Sequence, residues 1–228
     1  MHTDMGAETS KNHEVLDDHK TYILIMIKPN AIEETSDSVI LDMFSGNCEK
    51  YIQHMDLEEA AINSLRSVKL VTYFYRRLDD PRYRPVLDFL YQKENGKKHH
   101  SVIMKEYAGP CAFIIASSSM EAEQFYEGMQ ILKGKGKLLD KENIVRKGTG
   151  IRGVLIVPRQ FMDMDKLDDN EIRITVRNTI HVPDSQQESA KAIRMLLSSS
   201  EIDSLSTRNK SFSKFINTYA PIDIVRSG

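Results

Sequence analysis

The chain is poor in cysteine, with only Cys48 and Cys111 among its 228 residues. One lies in a polar region and the other in an apolar run, so they provide neither a disulfide framework nor the spacing of a zinc site. His54 and the pair His99 and His100 lack acidic or cysteine partners at ligand spacing, so we expect no protein-held metal. This cysteine usage favours a reducing, cytoplasmic setting.

Long apolar runs and an excess of one charge are also missing. No run approaches the roughly 18 residues that a membrane helix needs, and the first 20 residues lack the basic and then apolar pattern of a secretory signal. The 31 basic and 33 acidic side chains give a formal net charge of -2. We therefore expect no membrane or nucleic-acid partner, since no overall positive field is present.

The length and the 40% hydrophobic content predict a compact core. We expect a mobile polar tail over residues 1–20 and one domain over residues 21–228, with two smaller domains as the alternative. Residues 33–56 are mixed and polar and are interpreted as an insertion of uncertain structure, with a loop at Ser45-Gly46-Asn47.

Apolar runs alternate with segments of helical spacing. The run Tyr22–Ile27 ends at Lys28-Pro29, as expected for a buried central strand that stops where proline cannot donate a hydrogen bond. Further strands are predicted at Leu70–Tyr75 and Cys111–Ala116, and a strand hairpin around Val154–Val157 and Ile172–Val176. This alternation indicates an α/β or α+β protein but leaves a parallel doubly wound sheet and an antiparallel ferredoxin-like sheet both open.

The segment Asn178–Ser185 leads a histidine, His181, from a strand-like run into a turn and a helix. A neutral imidazole offers a lone pair on one nitrogen while a hydrogen bond holds the other, and its pKa lets it stay neutral near pH 7. His181 is thus either a phosphate-accepting nucleophile or a partly buried histidine at a strand end. The first interpretation requires nearby cations to offset the phosphoryl charge.

Two cations and one amide are candidates for that environment. Arg152 lies between Gly150 and Gly153, where small neighbours let a phosphate approach, and its guanidinium matches phosphate oxygens. Lys28 follows the first strand. Each cation alone is equally compatible with a solvated surface position. Asn178 is expected either to hydrogen-bond a ribose hydroxyl or to close a turn.

The basic run Lys133–Lys137 is similar to a P-loop but fails its spacing. Gly128 and Gly134 are separated by five residues rather than four, and Gly136 stands where a magnesium-binding serine or threonine belongs. A solvated basic loop and a phosphate contact are both compatible with this run.

Four segments in this order together resemble the nucleoside diphosphate kinase family, across roughly Tyr22–Leu197. They are Ile27-Lys28-Pro29, Ala108-Gly109-Pro110, Gly148–Gly153 and Asn178–Ser185. The resemblance implies a ferredoxin-like sandwich, an antiparallel sheet flanked by helices. It also implies γ-phosphoryl transfer from a nucleoside triphosphate to a nucleoside diphosphate through phosphohistidine, Mg²⁺ bound through the nucleotide phosphates, and a homo-oligomer.

The resemblance also implies roles for individual residues. His181 would carry the phosphoryl group, and the nucleotide contacts would fall to Lys28, Arg152 and Asn178. Ungapped counting adds Tyr91 beside the histidine and His99 at the position that stacks on the base. The longer segments near 33–56 and 157–173 are insertions relative to a compact family member.

Several positions depart from the family pattern. Pro183 replaces the serine after the histidine, and Ala192 replaces the glutamate that orients it, with Glu188 one helical turn earlier as a substitute. The arginine and threonine before the glycine-rich turn would fall near Gln130 and Gly136. A lysine among Lys133, Lys135 and Lys137 is expected to supply the missing charge.

These departures leave open a catalytically weak or inactive nucleotide-binding regulatory module. A ferredoxin-like RNA-binding module that stacks bases on Tyr73 and Tyr75 is a further alternative, but the acidic balance and the lack of an aromatic RNA motif weigh against it.

Overall fold

Four strands form one antiparallel sheet in the computed structural model, which describes residues 20–94, 97, 100–134, 138–139, 145–146, 148–155, 159–160 and 168–222. The strands are β1 (Thr21–Ile27), β2 (Lys69–Arg77), β3 (Pro110–Ser118) and β7 (Ile180–His181). Their order is β2-β3-β1-β7, and every neighbouring pair is antiparallel. This is the ferredoxin-like arrangement, so the predicted sandwich is confirmed and the parallel alternative is wrong.

The remaining described elements are helices and a small second sheet. The helices are α1 (Pro29–Glu33), α2 (Asp37–Phe44), α3 (Glu49–Ile52), α4 (Glu59–Ser67), α5 (Arg84–Leu90), α6 (His100–Tyr107), α7 (Ala122–Lys133), α8 (Gly150–Leu155), α9 (Asp169–Val176), α10 (Gln186–Leu196), α11 (Ser199–Arg208) and α12 (Lys210–Tyr219), with a 3₁₀ turn at Gln92–Glu94. Short strands β4 (Leu138–Leu139), β5 (Val145–Arg146) and β6 (Arg159–Gln160) pair in the order β5-β4-β6.

Strand β1 is central because both of its faces are apolar. All seven of its residues are buried. Side chains of a strand alternate between faces, so Tyr22, Leu24 and Met26 pack under α5, α6 and α9 to α12. Ile23, Ile25 and Ile27 pack under α1 to α4 and α7 on the other face. The end of β1 is thus held rigidly between two helical layers.

The segment 33–56, expected to be polar and of uncertain structure, contributes to the core. Ile40, Met43 and Phe44 lie at helical spacing on α2 and are buried against the sheet. A turn at Ser45–Asn47 follows, and Gly46 adopts a φ of 100° there, which glycine tolerates best.

The predicted strand hairpin is wrong where the structure describes it. Val154 lies in α8, and Ile172 and Val176 lie in α9, which packs against α6. Residues four apart share one face of a helix, and both of these side chains are buried. Their β-branched composition therefore misled the prediction, because a buried helix face carries the same residue types.

Two of the expected segments fall mainly outside the described residues. The predicted tail lies there except for Lys20, and so does most of the second insertion near 157–173. The division into a tail and one domain therefore stays a prediction. Within the described part of the chain, no helix combines the length and apolar character needed to cross a membrane.

Candidate active site

Lys28 lies where β1 ends and is almost completely buried, with 2% of its surface exposed. Its backbone N–H donates to the Thr179 carbonyl at 2.8 Å, which ties the end of β1 to the segment before β7. Its ammonium donates to the Tyr107 hydroxyl at 2.9 Å and to the Asn178 side-chain oxygen. Burial lowers the pKa of Lys28 well below its usual value, and the nearby charges of Arg152 and Lys133 add to the shift.

His181 pairs with Met26 of β1, so the sheet places its ring beside the end of that strand. The imidazole is 18% exposed, and its ring centroid lies 5.4 Å from that of Tyr91. Burial lowers the pKa of His181, Glu188 opposes this, and the charge of Lys28 adds to it. The imidazole is therefore neutral near pH 7, as a nucleophile requires.

Glu188 faces the histidine from the first turn of α10. Its Oε1 lies 3.8 Å from His181 Nε2, and its Oε2 accepts from the Asp184 N–H at 2.8 Å. Its own N–H donates to the Ser185 hydroxyl, which caps the helix. Burial raises the pKa of Glu188, but the His181 and Asp184 contacts outweigh it and leave the pKa below its usual value. Glu188 is thus a carboxylate aimed at the imidazole.

Ala192, at the position of the family's orienting glutamate, is fully buried in the apolar core beneath the sheet. A carboxylate there would lose hydration without a described partner. The structure therefore brings Glu188, rather than residue 192, to His181. The sequence signal for Glu188 was its position one helical turn before Ala192.

Two glycines allow the backbone at the end of α7 to approach the start of α8 closely. Gly134 has a φ of 69°, and a Cβ on it would lie 1.9 Å from the Thr149 carbonyl oxygen. Gly150 has a φ of 60°, and its Cβ would lie 2.3 Å from the Leu132 carbonyl oxygen. Only glycine fits this close backbone approach without a shift. The close approach of these two glycines thus places α8, which carries Arg152, against the end of α7.

Arg152 reaches from α8 to the segment that carries the histidine. Its Nε donates to the Asn178 carbonyl at 3.1 Å, and its Nη2 donates to the Ile180 carbonyl at 2.7 Å. The Asn178 side-chain oxygen accepts from both Arg152 and Lys28. Asn178 therefore joins the two predicted cations, and the guanidinium is anchored to the carbonyl of Ile180, the residue before His181.

Thr179 has a backbone conformation that threonine rarely adopts, with a φ of 68°. It is buried, its N–H donates to the Asn30 side-chain oxygen at 3.4 Å, and its hydroxyl has no hydrogen-bond partner within the described structure. Strained residues of this kind cluster at functional sites. Nothing in the sequence distinguishes Thr179, because the strain arises only when the flanking contacts form.

Gln130 and Lys133 lie at the end of α7 and complete the surroundings of the histidine. The Gln130 amide donates to the carbonyls of Val182 and Pro183 at 3.0 and 2.9 Å, and Lys133 donates to the Gln130 side-chain oxygen. Burial lowers the pKa of Lys133 to about 8, and the charge of Arg152 adds to the shift. Lys133 was one of three lysines expected to supply charge.

Tyr91 is buried beside the site, and its ring lies 4.7 Å from that of Tyr107. Its hydroxyl has no hydrogen-bond partner among the described residues. Of the other predicted site residues, His99 lies outside the described residues, as do Lys135 and Lys137. Across the described ranges, no three His, Cys, Asp or Glu side chains are grouped so as to hold a metal ion.

No protein-family model matches this chain, and no curated protein matches it. Among solved structures, it is similar to nucleoside diphosphate kinase from Encephalitozoon cuniculi, with 17% identity, a TM-score of 0.47, and coverage of 78% of this chain and 88% of that one. It is also similar to the Aquifex aeolicus nucleoside diphosphate kinase, with 17% identity, a TM-score of 0.47, and coverage of 80% and 99%. At this identity the likeness concerns the fold alone.

Proposed function

We propose that the protein transfers the γ-phosphoryl group of a nucleoside triphosphate to a nucleoside diphosphate through a phosphohistidine at His181. The observation that carries the proposal is a neutral imidazole among three cations, Lys28, Lys133 and Arg152. Within the described residues, their hydrogen-bond acceptors are all uncharged: a hydroxyl, amide oxygens and backbone carbonyls. Buried cations without a carboxylate partner are costly, and a bound polyanion offsets that cost.

The orientation of the ring determines which nitrogen reacts. Nε2 is fully buried, has no hydrogen-bond partner among the described residues, and lies 3.8 Å from Glu188 Oε1, the facing carboxylate oxygen. The carboxylate favours the tautomer that carries its proton on Nε2, which leaves the lone pair on Nδ1. Glu188 is thus a positioning residue, and Nδ1 is the nucleophile.

In the first half-reaction, Nδ1 attacks the γ-phosphorus. The N–P bond forms while the bond from phosphorus to the β–γ bridging oxygen breaks, and the nucleoside diphosphate leaves with that electron pair. Lys28 and Arg152 neutralise the developing charge. In the second half, a terminal phosphate oxygen of another nucleoside diphosphate attacks the phosphorus, and the N–P electrons return to the imidazole.

The remaining predicted residues bind the substrate. Asn178 holds sugar or phosphate, Tyr91 borders the histidine, and His99 stacks on the base. Magnesium would enter with the nucleotide on its phosphate oxygens and add charge neutralisation. As in the family that the sequence resembles, we expect a homo-oligomer.

The test is phosphorylation with γ-labelled ATP and Mg²⁺. We expect an acid-labile, alkali-stable label that a nucleoside diphosphate removes, and that His181→Ala abolishes. His54→Ala is the matched control, because His54 is exposed and has no place in the site. Label in His181→Ala would refute the assignment of the nucleophile. Nucleotide binding without label in the wild type would indicate the regulatory module instead.

A further inference from the structure

Gln130 lies near the place where the family pattern would have an arginine, but its amide is already engaged. Its Nε2 donates to the carbonyls of Val182 and Pro183 and to Asp184 Oδ1 at 3.2 Å. These contacts brace the turn that follows His181. Gln130 is neutral and committed to that turn, so it brings no positive charge to an anion.

Lys133 lies one helical turn further along α7 and is held by Gln130. Its ammonium donates to Gln130 Oε1, which fixes it beside the same turn, and its side chain is half-buried. The charged or titratable groups that act on it come from four neighbouring elements. They are Lys28 after β1, Arg152 of α8, His181 of β7, and Asp184 and Glu188 at the start of α10.

Both of those carboxylates have other partners. Asp184 forms an ion pair with Lys93 at 2.7 Å, and Glu188 accepts from the Asp184 N–H while facing His181. Lys133 therefore has no carboxylate within ion-pair distance among the described residues. It stands as a half-buried cation beside two further cations and the candidate nucleophile.

We infer that Lys133 binds the terminal phosphates of the nucleotide, while Gln130 holds the Lys133 ammonium in place and supports the turn that follows His181. The inference rests on the proposed function for the identity of the ligand. An ammonium on a flexible stem approaches a phosphate as a point charge and does not need the planar geometry of arginine. Phosphate and cation stabilise one another, so binding favours the protonated amine.

This role makes binding sensitive to alkaline pH. The pKa of Lys133 in the free protein is about 8, so its charge is lost as the pH rises through that value. Polyphosphate affinity should fall over the same range. An arginine at position 133 stays charged throughout, so it should remove the part of this fall that Lys133 causes.

The experiment is calorimetric titration with inorganic tripolyphosphate, ATP and AMP at pH 7 and pH 9. At pH 7, Lys133→Met should weaken tripolyphosphate and ATP binding by about 10- to 100-fold, the scale of a lost charge-assisted hydrogen bond, and should affect AMP much less. Lys133→Arg should bind tightly at pH 7 and lose less affinity than the wild type at pH 9. Lys69→Met is the matched control, because Lys69 is exposed at the start of edge strand β2.

Unchanged tripolyphosphate affinity in Lys133→Met, or an alkaline loss in Lys133→Arg as large as that of the wild type, would overturn the inference. Lys28, whose pKa is also lowered, is present in both proteins, so the difference between them reports on Lys133. Thermal melts of each variant separate lost binding from lost folding. Histidine labelling distinguishes the two proposals. Weakened binding in Lys133→Met with no label in the wild type would retain the anion site and reject the kinase. Label in the wild type, together with unchanged tripolyphosphate binding in Lys133→Met, would support the kinase and reject the anion site at Lys133.

Discussion

Neutralising Glu188 is the most informative perturbation of the site. Glu188→Gln keeps the length of the side chain and an oxygen that can accept from the Asp184 N–H, but it removes the charge 3.8 Å from His181 Nε2. Phosphorylation at Nδ1 favours a positively charged ring, which the carboxylate stabilises and the amide does not. We therefore expect slower phosphorylation of His181 with little change in folding.

The size of the effect follows from this distance. Two unit charges near 4 Å interact by about 4 kcal/mol at the effective dielectric near a protein surface, and partial exposure of both groups reduces this. A loss of about 2 kcal/mol in the transition state corresponds to roughly 30-fold in rate. The pKa of His181 should also fall further, because the Glu188 carboxylate raises it in the wild type.

The assay is single-turnover labelling of the protein with γ-labelled ATP, together with NMR titration of His181. Glu201→Gln is the matched control, since Glu201 is the third residue of α11 and closes a capping box with Ser198. Both variants neutralise a carboxylate at the third position of a helix that accepts from a backbone N–H near the helix start, but only Glu188 faces the imidazole. An unchanged labelling rate and an unchanged His181 pKa in Glu188→Gln would refute the positioning role.

Two further predictions concern the glycine contact and pH. Gly134→Ala should lower the free energy of unfolding by more than about 2 kcal/mol, since its Cβ would meet the Thr149 carbonyl at a positive φ. Gly46→Ala should cost only about 1 kcal/mol, because it has a positive φ but nothing within 4 Å of its Cβ. Urea denaturation compares the two, and equal losses would contradict the role of close packing. The labelling rate of His181 should fall with decreasing pH only below about 6.5, because burial lowers the pKa of an imidazole that must be neutral to react. If the rate already fell to half its maximum above pH 7 as the pH decreased, the lowered pKa of His181 would be contradicted.

Much of the sheet could be predicted from local pattern. A continuous apolar run such as Tyr22–Ile27 must be buried on both faces, and the proline at 29 marks where its ladder stops. The glycines around Arg152 were expected to let a phosphate approach, and the structure shows a different use for Gly150, which accommodates the Leu132 carbonyl of α7. In contrast, α9 was mistaken for a strand, because a short apolar segment carries no sign of whether it packs as a helix.

For the candidate site, too, some features follow from the sequence and others only from the tertiary structure. Residue types at Lys28, Arg152, Asn178 and His181 determined which chemical groups are available, because a side chain carries its donors and its charge into any fold. The sequence offered Glu188 as a substitute for residue 192, but only tertiary structure decided that Glu188 faces His181 while position 192 is buried in the core. It also decided that, of the three candidate lysines, Lys133 lies close enough to Arg152 for their charges to interact. Those relations depend on the rotation of α10 and on the contact between α7 and α8, which arise from packing between segments remote in the chain.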